Sequence, residues 1–285
     1  MKILMYILAV ILIIAIIVMI ILNTKPFGKL PSGERLERIK LSENCKDGKF
    51  QNQVETNMMT TDDGFIKSAV KGIYEMLVPK DEENTIPNFE LPTQKTDLKN
   101  LLEEENIIVW FGHSSIFIQL DGKKILVDPV FGSYGTPFPL NNAFKVTKIY
   151  IPDDMPEIDV LIITHDHWDH LDYASVRAIK DKVKKVITPL GVASHLEYWG
   201  YDKDIIEEKD WYEDVNIDNI IVHVLPARHF SGRGISQNKT QWASFLLETD
   251  KLKIYLRIQK MLVAGKIFLY VLQQLETPLL IYSQL

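Results

Sequence analysis

Thr164-His165-Asp166-His167-Trp168-Asp169-His170-Leu171-Asp172 is the stretch on which the reading of this 285-residue chain turns. Three imidazoles and several carboxylates crowd together directly after Ile158 to Thr164, a continuous apolar run that reads as a strand buried on both faces. Imidazole and carboxylate are the ligands that Zn²⁺ takes in a hydrolytic site, where one position stays open for water. In an extended turn His165 and His167 point the same way, while Asp169 and His170 address a second point a few ångströms off. That pattern suits two metals sharing a bridging hydroxide, and a solvated polar loop has no reason to adopt it.

Working outward, Ile107 to Phe111 and Ser115 to Leu120 are short β-rich runs, and Asp121-Gly122 is a hairpin signal leading into Lys123 to Asp128. Beyond the histidines, Asp172 is placed to cap a helix bearing Val176, Ile179 and Val183, and Val186 to Thr188 resumes a strand. Leu190 to Trp199 reads as helix. Ile220 to Leu225, Trp242 to Leu247 and Leu252 to Tyr255 read as strands. Strands alternating with helices predict an α/β fold. Upstream, Phe65, Ala69, Ile73 and Met76 recur at helical spacing and predict a helix from Phe65 to Leu77. Pro79 to Asn100 reads as a loop or linker, and Thr24 to about Asn57 as an extended segment lying on the main domain.

The amino terminus stands apart. Ile3 to Leu22 is apolar without one charge, about the 20 residues that a helix needs to cross a bilayer. Met19 to Asn23 offers no small-residue cleavage site, so an uncleaved single-pass anchor is expected. Only Lys2 precedes the span, whereas Lys25, Lys29, Arg35, Arg38 and Lys40 follow it, which places the bulk of the chain in the cytoplasm. A net charge of −6 argues against nucleic acid as a partner. The single cysteine, Cys45, excludes an internal disulfide and a cysteine-rich zinc site.

The run HDHWDH also matches the HxHxDH signature of the metallo-β-lactamase superfamily. Trp110 to Ser115, Leu126-Val127-Asp128-Pro129-Val130 and Pro226-Ala227-Arg228-His229 resemble the branch containing N-acyl-phosphatidylethanolamine phospholipase D and its bacterial relatives. Pro31-Ser32-Gly33-Glu34-Arg35 and Asp47 to Asn52 resemble the leader of those relatives. The resemblance runs from about Phe27 to about Tyr255. It implies an αββα sandwich and hydrolysis of a phosphodiester on a phospholipid-like substrate by a metal-bound hydroxide; a lactonase or other small-molecule metallohydrolase is the alternative. It further implies zinc at His165, His167 and His229, and a second zinc at Asp169 and His170. Asp169 would also orient the attacking water, and Asp128 would fix ligand imidazoles from behind. His113 and Arg228 are implied as substrate contacts, and Arg233 as a further candidate for phosphate. His195 and His223 read as structural residues.

The resemblance stops near Tyr255. From Leu256 to Leu285 there is no Asp and no His, and Glu276 is the only acid, so the family's bridging aspartate and final histidine are missing. Either a frameshift or truncation or a diverged tail accounts for this, the latter with Leu262 to Leu272 packing as helix or strand. The expected organisation is therefore an anchor (1–23), an extension and linker (24–100), a metallo-β-lactamase-like domain with an incomplete C-terminal half (101–255) and a divergent tail (256–285). Second-metal occupancy should be weak or absent, the chain should hold one or two zincs, and sheet edges should be left open. A catalytically inactive family member is the third reading.

Overall fold

Apolar strands of four to eight residues, separated by turn-forming residues, organise the chain into two sheets. The computed structural model describes residues 2–54, 67, 70, 74, 93–132, 149–259, 266–273 and 279–282. Helix α1 (Lys2–Leu22) leads, exposed except at its last turn, followed by α2 (Glu34–Leu41). A small hairpin joins β1 (Cys45–Lys46) and β2 (Lys49–Phe50). The main domain then runs through β3 (Asn106–Trp110), β4 (Ile116–Leu120), β5 (Lys123–Val127) and β6 (Ile158–Ile162). Helix α3 (Tyr173–Ile179), β7 (Val183–Pro189), α4 (Ala193–Tyr198) and β8 (Ile206–Lys209) come next. The last strands are β9 (Asp214–Ile217), β10 (Ile220–Leu225), β11 (Ser244–Glu248), β12 (Leu252–Gln259), β13 (Lys266–Gln273) and β14 (Leu279–Tyr282).

The larger sheet has the order β14-β3-β4-β5-β6-β7-β8, and the smaller β13-β12-β11-β10-β9. Asp121 and Gly122 both take positive φ, 46° and 76°, the backbone that a two-residue hairpin between β4 and β5 requires. From β5 to β8 the pairing is parallel, with β6 in the middle and its even positions, Ile158, Val160 and Ile162, fully buried. Ile118, Val127, Val160 and Ile162 face Val222, Val224, Phe245, Leu247 and Ile254 of the small sheet in one core. Ile107, Phe117, Leu126, Leu161 and Val186 face Val176, Ile179 and Leu196 of α3 and α4 in the other. Each such side chain, fully buried, contributes about 1.5–3 kcal/mol. These are three layers of an αββα sandwich. The outer face of the small sheet, where Ile221 and His223 lie, has no helix over it among the described residues.

Several sequence expectations need correction. The leader is not merely extended: Glu34–Leu41 is helical, with Ile39 buried. Val183 is the first residue of β7 and not part of the preceding helix, because α3 ends at Ile179 and one 3₁₀ turn intervenes. β8 and β9 carried no usable apolar pattern, Ile206–Lys209 being IEEK and Asp214–Ile217 DVNI. In the tail, β13 pairs antiparallel with β12 and β14 pairs parallel with β3, so β12 and β3 are covered and β13 and β14 are themselves edge strands. The helix expected over Phe65 to Leu77 lies, but for 67, 70 and 74, outside the described residues, as does most of the linker.

The leader is part of the core. Phe50 is fully buried in the inter-sheet cluster, and its N–H donates to Asn238 O at 2.9 Å. Phe50→Ala should cost about 3–5 kcal/mol of domain stability, measured by denaturant unfolding of the full chain in detergent. A change below 1 kcal/mol or so would mean the leader docks without supporting the fold.

Candidate metal centre

Parallel strands deliver their loops at their carboxyl ends, and β6 delivers the histidine run there, beside the ends of β5 and β7. Asp128, one residue past β5, is fully buried with φ 42°. Its Oδ1 accepts the Thr164 N–H at 2.8 Å, and its Oδ2 accepts the Thr164 hydroxyl and lies 2.7 Å from His170 Nδ1. His170 Nδ1 is thereby taken up by Asp128, which leaves Nε2 as the ring nitrogen for a metal, the arrangement that a ligand imidazole needs.

His165 Nε2 lies 2.8 Å from His167 Nδ1 and 3.0 Å from His229 Nε2. His165 is fully buried and His229 nearly so. Neutral imidazole carries one N–H, so Nε2 of His165 cannot satisfy both neighbours by hydrogen bonding. A cation at the centre resolves the crowding, and this donor set fits a zinc ion with an open position. Burial, then the neighbouring imidazoles of His170, His229 and His167, push His165 well below its ordinary pKa; burial also lowers His167, against the pull of Asp166 and Asp169. Both are therefore held in the neutral form that binds metal.

A second set, His113, Asp169 and His170, sits alongside. Burial opposes ionisation of Asp169, but His113 and then the charge of His170 outweigh it, and the carboxyl is held below its usual range. For His170 burial opposes the charged form, yet Asp128 prevails and the pKa is raised. His113 Nε2 lies 2.9 Å from Asp169 Oδ2, and its backbone has φ 47°.

Asp166, second in the run, points away from both sets. It accepts Gly232 N–H at 2.6 Å and lies 3.3 Å from Nε2 of buried His195, whose Nδ1 accepts the Lys29 N–H at 3.0 Å. His195 is therefore neutral and structural, its pKa lowered by burial against Asp166. Arg233, expected as a phosphate contact, is instead buried and donates to the carbonyls of Asp166, Leu171 and Pro26. Burial brings its pKa down to about 10 despite Asp166, Asp172 and Asp169. Arg228 is exposed next to His229, and His223 pairs with Asp214 and Glu248 on the outer face, away from the centre.

Two supports escaped sequence reasoning. Asn52 grips the His229 backbone, donating to its O at 2.9 Å and accepting from its N at 3.0 Å. Trp168 is held between Phe27, ring to ring at 4.8 Å, and the Arg233 guanidinium at 4.0 Å. Trp199 Nε1 also donates to Lys25 O at 2.8 Å, so residues 25–29 are fastened to the back of the histidine loop. The DGKFQN string ending at Asn52 was the only hint of the first, and nothing local signalled the second.

The geometry accords with the comparisons to known proteins. Residues 123–256 match the family model described as a beta-lactamase superfamily domain. An uncharacterized protein of Mycobacterium tuberculosis is 32% identical over 209 residues, covering 72% of this chain and 54% of that one. N-acyl-phosphatidylethanolamine-hydrolyzing phospholipase D 1 of Caenorhabditis elegans is 27% identical over 192 residues, 58% of this chain and 53% of that one. Among solved structures, CmlA, a diiron beta-hydroxylase from Streptomyces venezuelae, aligns with TM-score 0.41 and 23% identity over 53% of this chain and 29% of that one. Residues 123–256 thus carry a beta-lactamase superfamily domain, and N-acyl-phosphatidylethanolamine-hydrolyzing phospholipase D is among the chain's homologues. It spans about half the length of the first curated relatives it matches.

Asp128→Asn keeps the shape but removes the charge that orients His170. Zinc affinity should fall about 10–100-fold by chelator competition, with the circular dichroism spectrum unchanged. Unaltered affinity would show that His170 takes no part in metal binding.

Proposed function

We propose that the chain is a membrane-anchored, zinc-dependent hydrolase that cleaves a phosphodiester of phospholipid type. One observation carries this reading: the apolar helix Lys2–Leu22 leads straight into Phe27, which packs on Trp168 inside the histidine loop. A helix with this length and hydropathy is able to cross a bilayer, although near the N-terminus a signal sequence has the same character. As an anchor it tethers the metal centre within a few residues of the membrane surface. A lipid headgroup is then the substrate nearest to hand, and the basic residues after the span favour the cytoplasmic side.

His165, His167 and His229 would hold the first zinc, with Asp169 and His170 toward a second. A zinc ion held there would supply Lewis acidity toward a phosphoryl oxygen and toward water. Asp169, held as a carboxylate against His113, accepts a hydrogen bond from the attacking water and aligns it. Asp128 and Thr164 keep His170 from turning. Arg228, exposed beside His229, meets a phosphate oxygen from outside. Leu171 and Ile163, on either side of the histidine run, are buried in the helix-side core and anchor it there.

The test is a panel of phospholipid phosphodiesters and lactones, offered in mixed micelles to the zinc-loaded full chain. Release of a phosphomonoester lipid, abolished by His165→Ala together with zinc content, is the expected result. Turnover of lactones alone favours the small-molecule alternative. Zinc-loaded protein with no turnover on either class overturns the reading in favour of an inactive family member.

A further inference from the structure

We infer that His113 is the third protein ligand of a second divalent-metal position formed with Asp169 and His170. The inference rests on the metal-centre reading above and goes beyond it, since the sequence suggested His113 as a substrate contact or a structural hydrogen-bonding residue. The donor atoms of His113, Asp169 and His170 lie within 4.8 Å of one another. His113 Nε2 and Asp169 Oδ2 are 2.9 Å apart, close to the roughly 3.0–3.4 Å between neighbouring ligands that each sit about 2.0–2.1 Å from one ion. The His113 and His170 rings stand edge to face with centroids 5.5 Å apart. Asp128 occupies Nδ1 of His170, which leaves its Nε2 for the ion.

The turn that presents His113 is held on several sides. Gly112 and His113 both have positive φ, 95° and 47°, a conformation uncommon outside glycine. Trp110 Nε1 donates to His113 O at 3.0 Å, and the Ser114 hydroxyl donates to Asp169 O at 2.8 Å. Ser115 N–H donates to Gly112 O at 3.1 Å and closes the turn. The turn is thus bonded to the histidine loop through the Ser114 hydroxyl, which holds the His113 imidazole beside Asp169. Two imidazoles and a carboxylate suit a divalent first-row transition ion such as zinc.

A structural alternative exists on the same geometry: His113 could merely donate a hydrogen bond to Asp169. His113→Gln separates the two, because glutamine places an N–H donor at similar reach without an imidazole, and His113→Cys restores a metal-binding donor without the N–H. The measurement is equilibrium dialysis of the full chain in detergent against graded free Zn²⁺. Wild type should bind two zincs. His113→Gln should keep one, with affinity for the second reduced by more than about 100-fold, beyond what losing an orienting partner costs. His113→Cys should keep two. Retention of the first zinc in each variant reports an intact fold. One zinc in wild type, two in the Gln variant, or one in the Cys variant overturns the inference and leaves the first site standing. No zinc in wild type overturns the metal-centre reading itself.

Discussion

A single buried carboxylate ties the sheet to the chemistry. Asp128 lies at the end of β5 in a left-handed conformation, out of contact with water, and a bare charge there is prohibitively costly unless its oxygens are filled. Thr164 and His170 fill them, and in doing so fix the end of β6 and the last histidine of the run. The Ser115 hydroxyl donates to Asp128 O at 2.8 Å, so the turn carrying His113 is set by the same residue. β4, β5 and β6 thus meet at one point, and the donor atoms around it inherit their positions from the packed sheet and not from loop preference.

From that point the rest of the centre follows by contact. His165, adjacent to Thr164, is buried between His170 and His229, and the latter comes from the small sheet beyond β10. The leader closes the arrangement from the other side. Asn52 holds the His229 backbone, while Arg35 binds Glu208 at 2.5 Å and also pairs with Glu197 at the end of α4. Phe27 and Arg233 clamp Trp168 between the apolar helix and the histidine loop. Leader and histidine cluster therefore form one packed unit.

The sequence was informative wherever chemistry and periodicity coincide. HDHWDH, the apolar run before it, the Asp121-Gly122 turn and the Asp172 cap each state their geometry locally, and Asp172 does accept the Ser175 N–H at 2.9 Å. What stayed hidden depends on distant partners. β8 and β9 are polar four-residue strands that form because β7 and β10 offer them edges. Arg233 read as a phosphate contact or a surface arginine, yet two carbonyls of the histidine loop and one of the leader claim it. Asp166 sits among ligand residues but faces His195, which no spacing rule could distinguish from Asp169. The tail held no chemical motif, and only strand pairing gives its two strands a place.

X-ray absorption at the zinc edge of the purified full chain tests the central claim most directly. The account predicts a nitrogen and oxygen shell with strong imidazole scattering, at least three imidazoles per site-one ion, and no sulfur. A sulfur-containing shell drawing on Cys45, or protein that retains no zinc after loading, would contradict it.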